Sequence, residues 1–139
     1  MTDEELWKQM ENLANQEKSL EREMRFMLLL KEAYDMDMKL IMACVPDPVM
    51  PNMARQGYME VDGKRFLVCF SSKQRAKTAS YNTTWDIGSA RELMNNMFNK
   101  KSVAGMVFNP NDEKMVIIFK DLLLMIMPGE KPKPMFFRE

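Results

Sequence analysis

Apolar positions along this chain follow two periods. From Leu6 they recur in steps of four and three, at Leu6, Met10, Leu13, Leu20, Met24 and Met27, with Glu17 breaking the seam. That spacing lines one face of a helix. Thr2 and Glu5 form a capping box at its start, hydroxyl and carboxylate each satisfying a free backbone N–H. Asn15 to Ser19 is weak helix territory, and Ser19 is itself a cap candidate. The pattern predicts one long helix from Asp3 to about Tyr34, or two segments broken near Ser19.

Beyond Tyr34 the pattern shortens to strand length. Lys39 to Val45 reads as a buried strand stopped by Pro46 and Pro48, since proline donates nothing to a ladder. Pro46 to Gln56, with three prolines and no period, reads as a loop. Gly57 to Phe70 then reads as a hairpin, because Asp62-Gly63 suits a two-residue turn with positive φ at both positions. That turn sets Val61 opposite Lys64, Glu60 opposite Arg65 and Met59 opposite Phe66. Met59, Val61, Phe66, Val68 and Phe70 then share one face, taken as the core side.

Ser71-Ser72 starts a short polar helix to about Lys77, and Ala79 to Trp85 is strand-like. Asp86 is read as the cap of a helix with the stripe Ile87, Ala90, Leu93, Met94, Met97 and Phe98. Gly105 to Ile118 is a second hairpin, turning through Asn109 to Glu113 with Pro110 presetting φ. Lys120 to Met127 follows as a short helix, apolar nearly all round, closed by Pro128-Gly129. The expected fold is α+β: a mixed or antiparallel sheet of about five to six strands, built from two hairpins and packed against helices. Residues 1–127 form one domain with a helical N-terminal segment over 1–36, and 128–139 is a Pro/Lys-rich tail.

Composition narrows the classes. Twenty basic and twenty acidic residues leave no net charge, which disfavours nucleic acid or anionic lipid as an obligate partner. No apolar run approaches the roughly 18 residues of a membrane span. The acidic start, Met1 to Glu5, is unlike a signal peptide, so a cytoplasmic location is expected. Cys44 and Cys69 fall in apolar strand contexts and read as core thiols. The chain has no histidine, which removes the commonest general base and metal ligand. Its 17 methionines read first as core residues and second as an adaptable binding surface.

The order of elements resembles the N-terminal domain of the SseB family, the enhanced-serine-sensitivity proteins of bacteria. The residues that carry the likeness are Val45-Pro46, Val61 to Phe66, Phe70-Ser71-Ser72 and Gly105 to Pro110, over residues 20 to 127. The resemblance implies a compact α+β domain without an established reaction. Longer members continue into a second domain, where this chain carries only its short tail.

The remaining chemistry is sparse. Asp35, Asp37 and Asp47 lack the alternating ligands and glycine of a calcium loop. Lys73, Arg75 and Lys77, ahead of Tyr81 and Trp85, read as a solvated helix face more readily than as a single-strand platform. No phosphate loop, zinc pattern or Rossmann fingerprint is present, so no cofactor, metal or catalytic residue is assigned. The leading expectation is a non-enzymatic protein-interaction or adaptor domain, its simplest partner a second copy. Leu122, Met125, Ile126, Phe136 and Phe137 are its candidate contact residues. The alternative is a small-ligand or catalytic domain, with a pocket between sheet and helices lined by Tyr58, Arg65 and Ser71.

Overall fold

The structure, a computed structural model, describes residues 1–50, 54–79 and 84–127. Helix α1 (Asp3–Ala14) opens on the capping box at Thr2: its hydroxyl accepts from Glu5 N at 3.1 Å, and Glu5 Oε1 accepts from Thr2 N at 2.7 Å. Ser19 caps α2 (Leu20–Asp35), its hydroxyl accepting from Arg22 N at 3.1 Å. The N-terminal segment is thus two helices, and the break between them resets the helical phase. Leu6, Met10 and Leu13 are buried as the seam requires. Leu20 and Met24 are exposed, and α2 buries Arg22, Phe26, Met27, Leu30 and Ala33 instead.

Strand β1 (Lys39–Pro46) follows the predicted run. The expected loop Pro46–Gln56 ends in a short strand, β2 (Ala54–Gln56), antiparallel to the end of β1. The hairpin β3 (Tyr58–Val61) and β4 (Lys64–Phe70) has the expected register, with Glu60 opposite Arg65 and Met59 opposite Phe66. Asp62 and Gly63 hold φ of 52° and 78°, the positive pair a type I′ turn needs. Gly57 joins β2 to β3, its N donating to Ala43 O and its O accepting from Val68 N. Here one continuous stretch of chain changes partner from β1 to β4. A Cβ on Gly57 would sit 3.1 Å from that of Ala43.

Ser72 caps α3 (Lys73–Thr78) through a 3.1 Å bond from Arg75 N. Then come β5 (Thr84–Ser89), α4 (Ala90–Phe98), β6 (Val103–Phe108), β7 (Val116–Phe119) and α5 (Lys120–Ile126). Asp86 is not a cap. It lies inside β5 opposite Met42, and Ser89 caps α4, its hydroxyl accepting from Glu92 N at 3.1 Å. The ladder to β1 continues from Thr84 through Ser89, so pairing overrides the capping preference of an aspartate. Of the strand expected over Ala79 to Trp85, residues 80–83 lie outside the described residues.

Among the described residues seven strands form one mixed sheet, more than the five to six expected because β2 adds one within the supposed loop. The path runs β2–β1–β4–β6–β7, with β5 on β1 and β3 on β4; β4 and β6 are parallel and the other pairs antiparallel. Helix α2 lays Phe26 edge-on against Phe108 at 4.7 Å, and Tyr34 OH donates to Asn95 Oδ1 of α4 at 2.7 Å. Trp7 Nε1 donates to Lys39 O at 2.9 Å, tying α1 to the start of β1. The hairpin's expected single core face is corrected on β4. Phe66, Val68 and Phe70 are buried, but so are Leu67 and Cys69 between them. A central strand covered on both faces loses the alternation of a half-exposed one, while Met59 and Val61 on β3 stay half-buried.

Candidate interaction site

Helix α5 divides its apolar side chains. Leu123 and the following Met127 are buried and Ile126 is half-buried, whereas Leu122 and Met125 are 48% and 76% exposed. The helix packs beside α2, β6 and β7. Its neighbour α2 presents Leu20, Met24 and Leu28, 74%, 50% and 56% exposed. Spaced four apart, these form one outward stripe. Sequence reasoning missed the stripe by assigning Leu20 and Met24 to the packed seam. The signal that identifies it is Ser19: once that cap restarts the helix, Phe26, Leu30 and Ala33 claim the inward face. Glu21 and Arg25 flank the stripe and bridge each other at 2.8 Å. A shallow groove of about 340 Å³ between α1 and α2, lined by Leu13, Arg25, Leu28 and Leu29 among others, adjoins it. Phe136 and Phe137 lie outside the described residues.

The three pocket residues expected together are separated. Tyr58 and Arg65 do meet: the guanidinium carbon of Arg65 lies 4.1 Å from the centre of the Tyr58 ring. They line an open cleft of about 620 Å³ with Arg55, Gln56, Glu60, Asn96 and Lys100. Ser71 is not there. It follows the opposite end of β4, six residues and therefore about 20 Å along an extended strand from Arg65.

Ser71 is fully buried in a polar knot. Its N donates to Asn109 Oδ1 at 3.0 Å, Asn109 Nδ2 donates to its hydroxyl at 2.9 Å, and that hydroxyl donates to Glu11 Oε1 at 2.5 Å. Arg75 Nε reaches Glu11 Oε2 at 3.1 Å, Nη2 reaches Asn15 Oδ1 at 2.6 Å, and Nη1 pairs with Asp112. Partial burial pushes the Glu11 carboxyl up, but the bonds from Ser71 and Arg75 outweigh that and hold it below the usual carboxylate range. Asn109 takes φ of 61°, the left-handed conformation asparagine tolerates best among non-glycine residues. The Asn-Pro turn of the second hairpin thus aims a side chain back at the end of β4.

Cys44 and Cys69 are free, buried thiols, and burial pushes both pKa values up, away from nucleophilic reactivity. Asp35 pairs with Lys31 at 2.9 Å, Asp37 accepts from Ser89 Oγ at 2.5 Å, and Asp47 accepts from Val49 N and Met50 N. Those three carboxylates serve local structure. Among the described residues, no cluster of His, Cys, Asp or Glu is placed to hold a metal ion. No helix among them is long and apolar enough to cross a membrane. Of the basic group near α3, Arg75 is committed to the polar knot, Trp85 is half-buried opposite Ala43, and Tyr81 lies outside the described residues. Compared with protein-family models, curated proteins and solved structures, the chain gives no match.

Proposed function

We propose that this chain is a non-enzymatic protein-interaction domain of the SseB type, and that its contact surface is the outer face of α2 and α5. The observation that carries the reading is the exposure of Leu20, Met24, Leu28, Leu122 and Met125 on two neighbouring helices. Scattered exposed apolar residues need no explanation, but a stripe of three on one helix, with two more on a helix packed against it, exposes surface that association would remove from water. The motif order shared with the SseB family is consistent with such a role.

The partner that the stripe fits best is a second copy. In an antiparallel pairing with its two-fold axis at Met24, Leu20 meets Leu28 of the other copy. Met24 then meets its own counterpart on the axis, and Leu28 meets Leu20 of the other copy by symmetry.

Light scattering on the full chain at micromolar concentration should give a dimer mass, and Met24→Glu should give the monomer. Met24 is half-exposed, so the variant should keep its melting behaviour to within about 0.5 kcal/mol. A wild-type chain that is monomeric throughout would remove the second copy as partner. Alanine at Phe136 and Phe137 tests the tail's share: retention of the dimer would confine the contact to the helices.

A further inference from the structure

The cleft at the start of β4 is built from three converging pieces of chain. The β3–β4 register sets Glu60 directly opposite Arg65, with Tyr58 two residues away on the same side of β3. Strand β2 brings Arg55 and Gln56, and the end of α4 brings Asn96 and Lys100. Three cations thus face one carboxylate in a chain with no net charge.

The cations are not equivalent. Arg55 Nε has Asp47 Oδ2 at 3.6 Å. Among the described residues, neither Arg65 nor Lys100 has a carboxylate within salt-bridge distance, Glu60 included. Tyr58 organises both. Its ring lies under the Arg65 guanidinium at 4.1 Å, and its hydroxyl accepts from Lys100 Nζ at 3.2 Å while donating to Gln56 Oε1 at 3.2 Å. A guanidinium whose central carbon sits over a ring still carries five N–H donors around its edge. Those donors are spaced to take two oxygens of one anion. The ammonium fixed at the phenol oxygen keeps further donors for the same ligand.

A second concavity of about 550 Å³ shares Glu60 and Arg65 with the first and adds three lysines, Lys64, Lys101 and Lys120, against one further carboxylate, Asp121. Arg65 therefore stands between two basic hollows. Nucleic acid would need a basic track along a face, whereas these cations gather at one end of the sheet. The volume suits a small molecule. An aromatic base is disfavoured, because the Tyr58 face that would stack it is taken by Arg65.

We propose that this cleft binds a small polyanion, one oxyanion group gripped by Arg65 and Lys100 and a second reaching the lysines beyond Arg65. The chemistry is shared by phosphoryl and polycarboxylate ligands. It does not depend on the helix-face contact proposed above, because the cleft and that stripe have no residue in common.

The test is titration of the ¹⁵N-labelled full chain with pyrophosphate and, separately, with citrate, at constant ionic strength held with potassium chloride. Saturable shifts are expected at the Tyr58, Arg65 and Lys100 amides. Pyrophosphate alone acting would identify a phosphoryl ligand, citrate alone a polycarboxylate, and both a general oxyanion site. Arg65→Gln should weaken binding about tenfold or more, the loss of a charge-assisted contact. Arg65→Lys should recover part of it, and Lys18→Gln, on the exposed α1–α2 connection, should change nothing. Lack of saturable shifts with either anion at millimolar concentration would overturn the proposal. So would affinity unchanged in Arg65→Gln.

Discussion

The two ends of β4 carry the same kinds of side chain in opposite circumstances. At its end, Ser71 leads into a knot in which Arg75 reaches Glu11, Asn15 and Asp112, and Asn109 closes on Ser71. At its start, Arg65 lies on Tyr58 and, among the described residues, has no carboxylate within salt-bridge distance. The difference lies in what surrounds each arginine. Helix α1 and the β6–β7 turn bring acids and amides to Arg75, so its donors serve the fold. Arg55, Lys100, the Tyr58 phenol and one carboxylate, Glu60, line the cleft with Arg65, and among the described residues no salt bridge engages its guanidinium, so its donors remain for a ligand. A polar residue becomes a binding group where tertiary structure leaves it unpaired.

The comparison breaks first at the most buried arginine. Arg22 is 1% exposed, and it donates to the carbonyls of Ala14, Gln16 and Met115 and to Glu23 Oε2 at 3.0 Å. Arg22→Ala strands those acceptors and should cost about 3 to 5 kcal/mol in urea unfolding. A loss below about 1 kcal/mol would mean that arginines with complete partners are not structural here.

Glu11 sharpens the comparison through pH. Its folded pKa is depressed, so its contribution is complete above the ordinary carboxylate value of about 4.3 and declines as pH falls through the lowered one. Unfolding midpoints measured from neutral into acid should fall less steeply in Glu11→Gln than in the wild type. Parallel acid limbs would show that the knot does not sense the Glu11 charge.

The smallest effect is expected at Arg65. Arg65→Gln should alter stability by no more than about 0.5 kcal/mol, since no acceptor among the described residues depends on it except the Tyr58 ring. A loss of about 2 kcal/mol would place Arg65 with Arg75 and erase the distinction between the strand's ends.

Much of the fold was legible wherever neighbours in sequence decide the conformation. Thr2 with Glu5, Ser19 and Asp62-Gly63 act through their own backbone, and the β3–β4 register follows from the turn. From Ala90 onward the α4 stripe was also readable, because a helix of nine residues shows its inward side by spacing alone. Ile87, assigned to the same stripe, lies instead in β5 opposite Ile41. Readings failed where distant chain competes. Asp86 would cap a free helix, but β1 holds it in a strand. Leu20 and Met24 continue a linear seam, but the restart at Ser19 turns them outward.

The candidate sites were legible only in part. Tyr58 and Arg65 meet because a hairpin register brings them together, which short-range rules can foresee. Ser71 does not join them, because a strand carries successive residues steadily apart. Lys100 joins the cleft and Glu11 joins the knot through contacts 42 and 60 residues apart in the chain, which no local pattern announces.

The sequence by itself determined most of the elements, the tight turn, the hairpin register and the α+β class, because capping, periodicity and turn geometry are local energies. Strand β2 and the β5–α4 boundary followed instead from pairing with β1. Tertiary structure alone decided which apolar side chains stayed exposed on α2 and α5, and which arginine was paired. Burial and ion pairing depend on what the rest of the chain brings within a few ångströms, and that depends on the packing of the helices and the topology of the sheet.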